Sequence, residues 1–234
     1  MDNYRVTVLD VGQGQCILLQ SKGKTYMVDC GGSSDKKAAN TAVAQLHSQG
    51  IWKLDGIILT HYDEDHAGGL SYLLTRIGAE VVYLPNADTC PLELPAGQTT
   101  EKVEDVTTFP CGKGTITLIP GQKGAVDNET STCILYQVEE CDILITGDRA
   151  AAGEAYLLEQ YDIPQVEVLV AGHHGADEST EMALLRRTKP KIVAISVGEN
   201  NHYGHPGEKT LLRLRAWGCR ILRTDLHGTI LIRG

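Results

Sequence analysis

Residues Thr60-His61-Tyr62-Asp63-Glu64-Asp65-His66, followed at once by Ala67-Gly68-Gly69-Leu70, put two imidazoles and the carboxylates of Asp63 and Asp65 on one short loop. Imidazole nitrogens and carboxylate oxygens are the common protein donors to divalent metals, so a metal site is the chemistry this loop predicts. The loop follows an apolar, β-branched run, Ile57-Ile58-Leu59-Thr60, which reads as a buried strand. It precedes helical spacing at Leu70, Leu73, Leu74 and Ile77. It therefore sits at the carboxyl end of a strand, where a rigid sheet holds ligands while leaving them open to solvent.

Two further clusters stand in the same relation to a strand. Ile143-Leu144-Ile145-Thr146-Gly147-Asp148 places a carboxylate just past a buried run, and Val168-Leu169-Val170-Ala171-Gly172-His173-His174-Gly175 does so with a histidine pair. Alone, the first reads as a turn and the second as a surface loop or a satisfied polar cluster. Three metal-capable clusters, all at strand carboxyl ends, argue instead that they converge on one centre.

The elements that must position them are legible from periodicity. Strands are predicted at residues 4–11, 16–20 and 25–29, broken by Gly12, Gly14 and Lys22-Gly23-Lys24, as in an antiparallel meander. Gly12-Gln13-Gly14 lacks a following helix pattern and reads as a hairpin turn, not a phosphate cradle. A helix around Ala42 and Leu46 leads to the strand before the His61 loop. Further strands are expected at 81–84, 115–119, 133–138 and 143–146, with residues 85–114 an irregular excursion rich in Pro, Gly and Thr. Helices near 151–160, 181–187 and 207–217 then alternate with strands at 166–170 and 192–197, before strands at 221–224 and 229–232. Two meander-plus-helix halves without a Pro/Ser-rich linker predict one domain over residues 1–234, sheet packed on sheet with helices outside.

Composition sets the outer bounds. The chain has 234 residues, 42% hydrophobic and 22% charged, which is ordinary for a globular protein. No run approaches the roughly 18 apolar residues of a membrane span, and the first 20 residues lack a basic start followed by an apolar stretch. The expectation is a freestanding cytoplasmic protein with no membrane partner. The seven cysteines are odd in number, scattered and mostly inside apolar runs, so they read as reduced core residues. A formal charge of −9 argues against a generic grip on nucleic acid. The stretch from Arg186 to Arg223, however, carries nine basic residues against two acidic ones. It reads first as solvated element ends, and secondly as a local anion-attracting surface.

Together these residues resemble the metallo-β-lactamase-fold hydrolases, and within them the soluble hydrolase domain of the bacterial competence DNA-uptake channel. The resemblance runs through Leu9-Asp10-Val11-Gly12-Gln13-Gly14, Val28-Asp29-Cys30-Gly31-Gly32, the His61 loop, Thr146-Gly147-Asp148, Gly172-His173-His174-Gly175, Tyr203-Gly204-His205-Pro206 and Leu222-Arg223-Thr224-Asp225. It implies an α/β (α+β) fold, a four-layer αββα sandwich of two mixed sheets with helices outside. It also implies two divalent metal ions in the cleft. By resemblance His61 and Asp63 bind one ion, Asp65 and His66 the other, and Asp148 bridges them. His174 completes the second ion's ligand set, with His173 as the alternative ligand. A metal-bound hydroxide is then the nucleophile, and Asp65, Asp148 and His205 are the residues expected to act in catalysis.

Two departures from the family pattern shape the expected metal. Most relatives carry His where this chain has Asp63, and most supply another His before the bridging Asp, yet no histidine lies between His66 and His173. Asp127 and Asn128 are the nearest replacements. An oxygen-rich site suits Mn²⁺ or Mg²⁺ as well as Zn²⁺. Asp29 is implied to orient a ligand loop, although its plain reading is a turn residue. His205 is a candidate for contacting a substrate phosphate or protonating a leaving group. The expected function is a phosphodiesterase or nuclease, with single-stranded nucleic acid as a candidate substrate. The alternatives are a hydrolase of phosphocholine esters, thioesters or, least expected, β-lactams, and a non-catalytic metal-binding module.

Overall fold

A computed structural model describes residues 2–125 and 127–234, the side chains of Asp35 and Asp127 excepted. The first half of the chain forms β1 (Tyr4–Val8), β2 (Ile17–Ser21), β3 (Lys24–Val28), α1 (Asp35–Ser48), β4 (Lys53–Leu54) and β5 (Gly56–Ile58). It continues with α2 (Glu64–Ala67), α3 (Leu70–Leu74), β6 (Gly78–Ala79), β7 (Val82–Leu84) and β8 (Thr100–Lys102). The second half forms β9 (Thr107–Cys111), β10 (Gly114–Ile119), β11 (Cys133–Val138), β12 (Cys141–Ile145), α4 (Ala151–Gln160) and β13 (Val168–Val170). The chain then adds α5 (Met182–Thr188), β14 (Ile192–Ile195), α6 (Glu208–Trp217), β15 (Arg220–Arg223), α7 (Thr224–His227) and β16 (Ile230–Arg233).

The strands build two seven-stranded mixed sheets, ordered β16-β1-β2-β3-β5-β7-β8 and β15-β14-β13-β12-β11-β10-β9. The pleat sends alternate side chains to opposite faces. Val6, Val8, Ile17, Leu19 and Val28 thus meet Ile116, Leu118, Ile134, Tyr136 and Ile143 in a core between the sheets. Leu18, Met27 and Ile57 face outward under α1 and α3. Leu135, Leu144, Leu169 and Val193 do the same for Leu157, Leu184 and Leu214 of α4, α5 and α6. The result is the αββα layering. In α1, Ser34 Oγ accepts from Lys37 N at 3.3 Å, and Ala38, Ala39, Ala42, Val43 and Leu46 form the buried stripe that docks it.

Two expectations need correction. The 85–114 segment is not wholly irregular, for it contains β8 and β9, the edge strands of the two sheets. All three β8 residues are exposed, so no hydrophobic alternation marked it. Gly12-Gln13-Gly14 does join an antiparallel pair, but as part of a loop from Leu9 to Cys16, not a tight turn. Ser196 Oγ donates to Gly14 O at 2.7 Å, which ties this loop from the first sheet to the second.

What matters for function is the shared direction of the parallel strands. β3 runs parallel to β5, and β12, β13 and β14 run parallel to one another. Asp29, His61, Asp148, the histidine pair and Ser196 all lie just past the carboxyl ends of these five strands. Among the described residues no helix is long and apolar enough to cross a membrane.

Candidate metal centre

The carboxyl ends of the two sheets bring Asp65, His66, Asp148 and His174 together so that one ligand atom from each lies within 4.8 Å of the others. Their tautomers follow from their partners. His66 Nδ1 lies 2.7 Å from Asp29 Oδ2, an oxygen that can only accept, and His174 Nδ1 lies 2.8 Å from the Ser196 carbonyl. Both Nδ1 atoms therefore carry the hydrogen, and each neutral ring turns the lone pair of Nε2 inward. Those two Nε2 atoms are 3.2 Å apart. Asp148 Oδ1 stands 2.9 Å from the first and Asp65 Oδ2 3.1 Å from the second. Four acceptors facing one another need a positive charge among them, a proton or a cation, and two nitrogens with two carboxylate oxygens fit a divalent metal ion.

The electrostatics of the metal-free protein carry the same demand. Burial disfavours a charged His66, yet Asp148 and Asp29 override it and hold the imidazole well above its ordinary pKa. Burial likewise opposes ionisation of Asp148, but His66 and His174 keep it well below the carboxylate range. Asp65, resisted by burial and favoured by its hydrogen bond to His174, is held down to about 2. A proton on His66 does the work of a positive ion.

Asp29 organises this half of the centre. Its Oδ1 accepts from Thr60 N at 2.8 Å, while Oδ2 accepts from Gln15 Nε2, Thr60 Oγ1 and His66 Nδ1 at 2.8, 2.7 and 2.7 Å. The residue is fully buried and left-handed, with φ 58°, a conformation Asp tolerates better than most. It is thus an orienting residue and not merely a turn former.

A second group of donors lies on the other side of Asp148. His61 Nε2 is 3.9 Å from Asp148 Oδ2 and 3.7 Å from Asp63 Oδ2. His173 Nε2 is 3.7 Å from the same Asp148 oxygen. His205 packs its ring 5.5 Å from His173, and burial followed by the neighbouring His173 lowers its pKa. Asn201 holds the His205 backbone at both N and O, at 3.0 and 2.6 Å. A cleft of 130 Å³ lies over the metal-capable residues, with Gln13, Tyr203 and His205 along its rim. It is flanked by grooves of 440 and 320 Å³, one sharing Gln13 and Tyr203 with it, the other sharing Asp63.

A family model described as the metallo-beta-lactamase superfamily matches residues 9–199. The chain belongs to that superfamily. Most members are metal-dependent hydrolases, and the four converging ligands above occupy the strand ends where such a site is expected. Among curated relatives, "Competence protein ComA" of Neisseria gonorrhoeae is 30% identical over 228 residues, 96% of this chain and 31% of its own length. "ComE operon protein 3" of Bacillus subtilis (strain 168) is 26% identical over 254 residues, 97% of this chain and 33% of its own. The chain therefore spans about a third of these relatives. Among solved structures, the metallo-beta-lactamase fold protein YhfI from Bacillus subtilis superposes with a TM-score of 0.68 over 100% of both chains at 14% identity. At that identity the likeness speaks for the fold alone.

Within this superfamily member, the residues singled out from sequence mostly meet. Asp63, Asp65, Asp148, His173, His174 and His205 border one cleft, His66 lies buried against Asp148 with Asp29 behind it, and His61 opens onto the neighbouring groove. Asn128 is different: its carbonyl accepts from Ser131 N at 3.1 Å, inside a 3-10 turn over Asp127–Thr130. Val126 and the Asp127 side chain lie outside the described residues. None of the nine Lys and Arg residues from Arg186 to Arg223 lines the cleft or its flanking grooves. Four of its members are paired: Arg187 with Asp162, Lys191 with Glu167, Arg213 with Glu181 and Arg223 with Asp225. The reading as solvated element ends holds for the exposed Arg187 and Lys191, whereas Arg213 and Arg223 are largely buried in their pairs.

Other contributors carried no signal in the sequence. Gln13 and Gln15 sit in a loop read as a turn, and Ser196 acts through its carbonyl. Arg149 is fully buried, donating from Nε to Ser131 O and from Nη2 to Pro120 O, both at 2.9 Å. It braces the Asp148 turn against the segment leading into β11. Only its position directly after Gly147-Asp148, in an otherwise apolar neighbourhood, marks it.

Proposed function

We propose that this protein is a dinuclear metal-dependent phosphodiesterase that acts on nucleic acid, single strands in particular, in the cytoplasm. The observation that carries the reading is the pair of inward Nε2 lone pairs on His66 and His174, 3.2 Å apart and faced by the Asp148 and Asp65 carboxylates. Asp65, His66, Asp148 and His174 would hold one divalent ion, and His61, Asp63 and Asp148 would contribute to the other. Bound there, Mn²⁺, Zn²⁺ or Mg²⁺ supplies an activated water and neutralises charge on phosphoryl oxygens. Asp63 makes the first half oxygen-rich, which favours hard ions such as Mn²⁺.

The chain's own residues shape the rest. Grooves on both sides of the central cleft suit an extended polymer better than a compact small molecule. His205, neutral because burial and His173 disfavour its charge, presents a ring nitrogen at the rim to a phosphate oxygen or leaving group. The likeness to a competence protein supports a nucleic acid substrate.

Purified protein, stripped and reloaded with each metal, is to be assayed on bis(p-nitrophenyl) phosphate, labelled single-stranded DNA and RNA, a chromogenic lactam and a thioester. The proposal expects phosphodiester cleavage that Asp148→Asn abolishes. Turnover of only the lactam or thioester, or equal activity in Asp148→Asn, would overturn it.

A further inference from the structure

The two halves of the centre are not equally furnished. The half containing His66 and His174 has four donors. The other has His61, Asp63 and a share of Asp148, and the chain lacks the histidine that would complete it between His66 and His173. His61 is nevertheless built as a ligand. It is 1% exposed, its Nδ1 meets Thr60 Oγ1 at 3.0 Å, and its Nε2 is buried with no hydrogen-bond partner. A buried polar atom left unanswered is costly, so something belongs opposite it.

We propose that His173 supplies the missing ligand, so that the first ion is held by His61, Asp63, His173 and Asp148, and the adjacent pair His173–His174 serves both ions, one ring each. This rests on the metal-binding reading above, though not on any particular reaction. Three observations carry it. His173 Nε2 and His174 Nε2 lie at the same distance, 3.7 Å, from Asp148 Oδ2, the oxygen His61 also faces. Two donors on one tetrahedral ion, each bonded at about 2.0–2.1 Å, stand roughly 3.3 Å apart, near the 3.7 to 3.9 Å from His61 to Asp63 and from His61 and His173 to Asp148, although this set is not drawn together within 4.8 Å as the donors of the other half are.

The backbone is the second observation. His173 and His174 both adopt the left-handed region, at φ 48°, ψ 49° and φ 53°, ψ 24°. Left-handed residues other than Gly are strained and normally occur singly. Here two in succession, held by His173 N on Gly147 O at 3.2 Å and Gly172 N on Thr180 Oγ1 at 3.1 Å, bring neighbouring rings to bear on one carboxylate. Strain kept at such a place points to a role for both rings.

The third is the far side of the ring. His173 Nδ1 is buried with no hydrogen-bond partner, the Glu178 carboxylate standing 4.0 Å away, so no bond among the described residues commits Nε2 to carrying the hydrogen and it is free to be the donor to a cation.

The test counts ions. The full chain is stripped, equilibrated with Mn²⁺ or Co²⁺ at controlled free concentration, and read by elemental analysis, by Co²⁺ ligand-field absorption and by Mn²⁺ electron paramagnetic resonance. His173→Gly is the informative variant, because Gly accepts the left-handed backbone and the turn should survive. The wild type should bind two ions with a spin-coupled Mn²⁺ spectrum. His173→Gly should keep one ion, weaken the first at least about 100-fold and show an uncoupled spectrum, while His173→Asp should restore the first ion in part. Asn128→Ala and Asp127→Ala should still bind two. Two ions of unchanged affinity in His173→Gly, or loss of the first ion in Asn128→Ala or Asp127→Ala, would overturn the assignment. A wild type that binds no ion at all would remove the metal reading with it. Two bound ions without phosphodiester cleavage would sink only the proposed reaction.

Discussion

Asp29 and His66 are hydrogen-bonded at 2.7 Å, both fully buried, and 37 positions apart in the chain. That bond decides which nitrogen of His66 faces the centre. Asp29→Asn keeps the shape and tolerates the left-handed backbone, but turns an amide N–H toward groups that all donate. The expected result is a fall in metal affinity of about 10- to 100-fold with the fold retained. Competition with a chromophoric chelator measures it, and an unchanged affinity in folded Asp29→Asn would count against the orienting role. Asp29→Ala should in addition lose about 3–5 kcal/mol in urea unfolding, since four buried donors lose their acceptor.

Metal binding should strengthen with pH. His66 has a folded pKa raised above its ordinary 6.5, so its contribution to stability is full below that value and is lost as pH rises through the folded one. Asp65 is the reverse: its contribution is present above 3.8 and is lost as pH falls through about 2. An incoming cation must displace the His66 proton, so about one proton should leave with the ion at that half of the centre. Calorimetry in buffers of different ionisation enthalpy reads this directly. The gain in melting temperature on adding Mn²⁺ should grow between pH 6 and pH 9, and a gain that shrinks with pH would contradict the argument.

Glu154 offers a pH effect away from the ligands. It is 1% exposed and accepts from Thr180 N and Glu181 N, capping the segment that leads from the histidine turn into α5. Burial, only partly offset by those two N–H groups, pushes its pKa up to about 7. A raised acid stabilises the fold below its ordinary 4.5, and that contribution is lost as pH rises through about 7. The loss is of the order of 3 kcal/mol at most. Unfolding of wild type and Glu154→Gln from pH 4.5 to 8 should show their stability difference drifting by this amount, in favour of Glu154→Gln at high pH. Parallel profiles would mean that Glu154 does not titrate in this range.

Much of this centre could be read before any coordinates, for a physical reason. Ile57-Ile58-Leu59, Ile143-Leu144-Ile145 and Val168-Leu169-Val170 are covered on both faces, so they appear as unbroken apolar runs, and the polar residues that follow stand out. The strand ends and most of the ligands were legible on that basis. β8 was not, because an edge strand exposed to water has no apolar pattern to show, and in β9 the short alternation of Phe109 and Cys111 inward is broken up by Thr108 and Pro110. Nor could the sequence separate His173 from His174, since their roles depend on two successive left-handed residues. Arg149 was hidden for a related reason: its partners are carbonyls of Ser131, Pro120 and Ile119, and main-chain acceptors leave no mark on residue type.

Gly31 supplies the last prediction. A Cβ placed there would run into the main chain of Asp65 and His66, and backbone cannot swing away as a side chain can. The close approach has a purpose, because Cys30 N donates to His66 O at 2.7 Å and Gln15 N to Asp65 O at 2.9 Å, pinning the ligand loop against the end of β3. Gly31→Ala must push that loop outward. It should cost about 1–3 kcal/mol or more in stability and move the Asp65 and His66 donors off their common centre. Gly78→Ala is the control, since the nearest atom to its added carbon is Lys53 Cγ at 3.5 Å, an ordinary contact. Metal titration and chemical unfolding of the pair should separate them clearly. Equal behaviour would mean that the loop is not held by this contact, and that the positions of Asp65 and His66 are set from the α2 side instead.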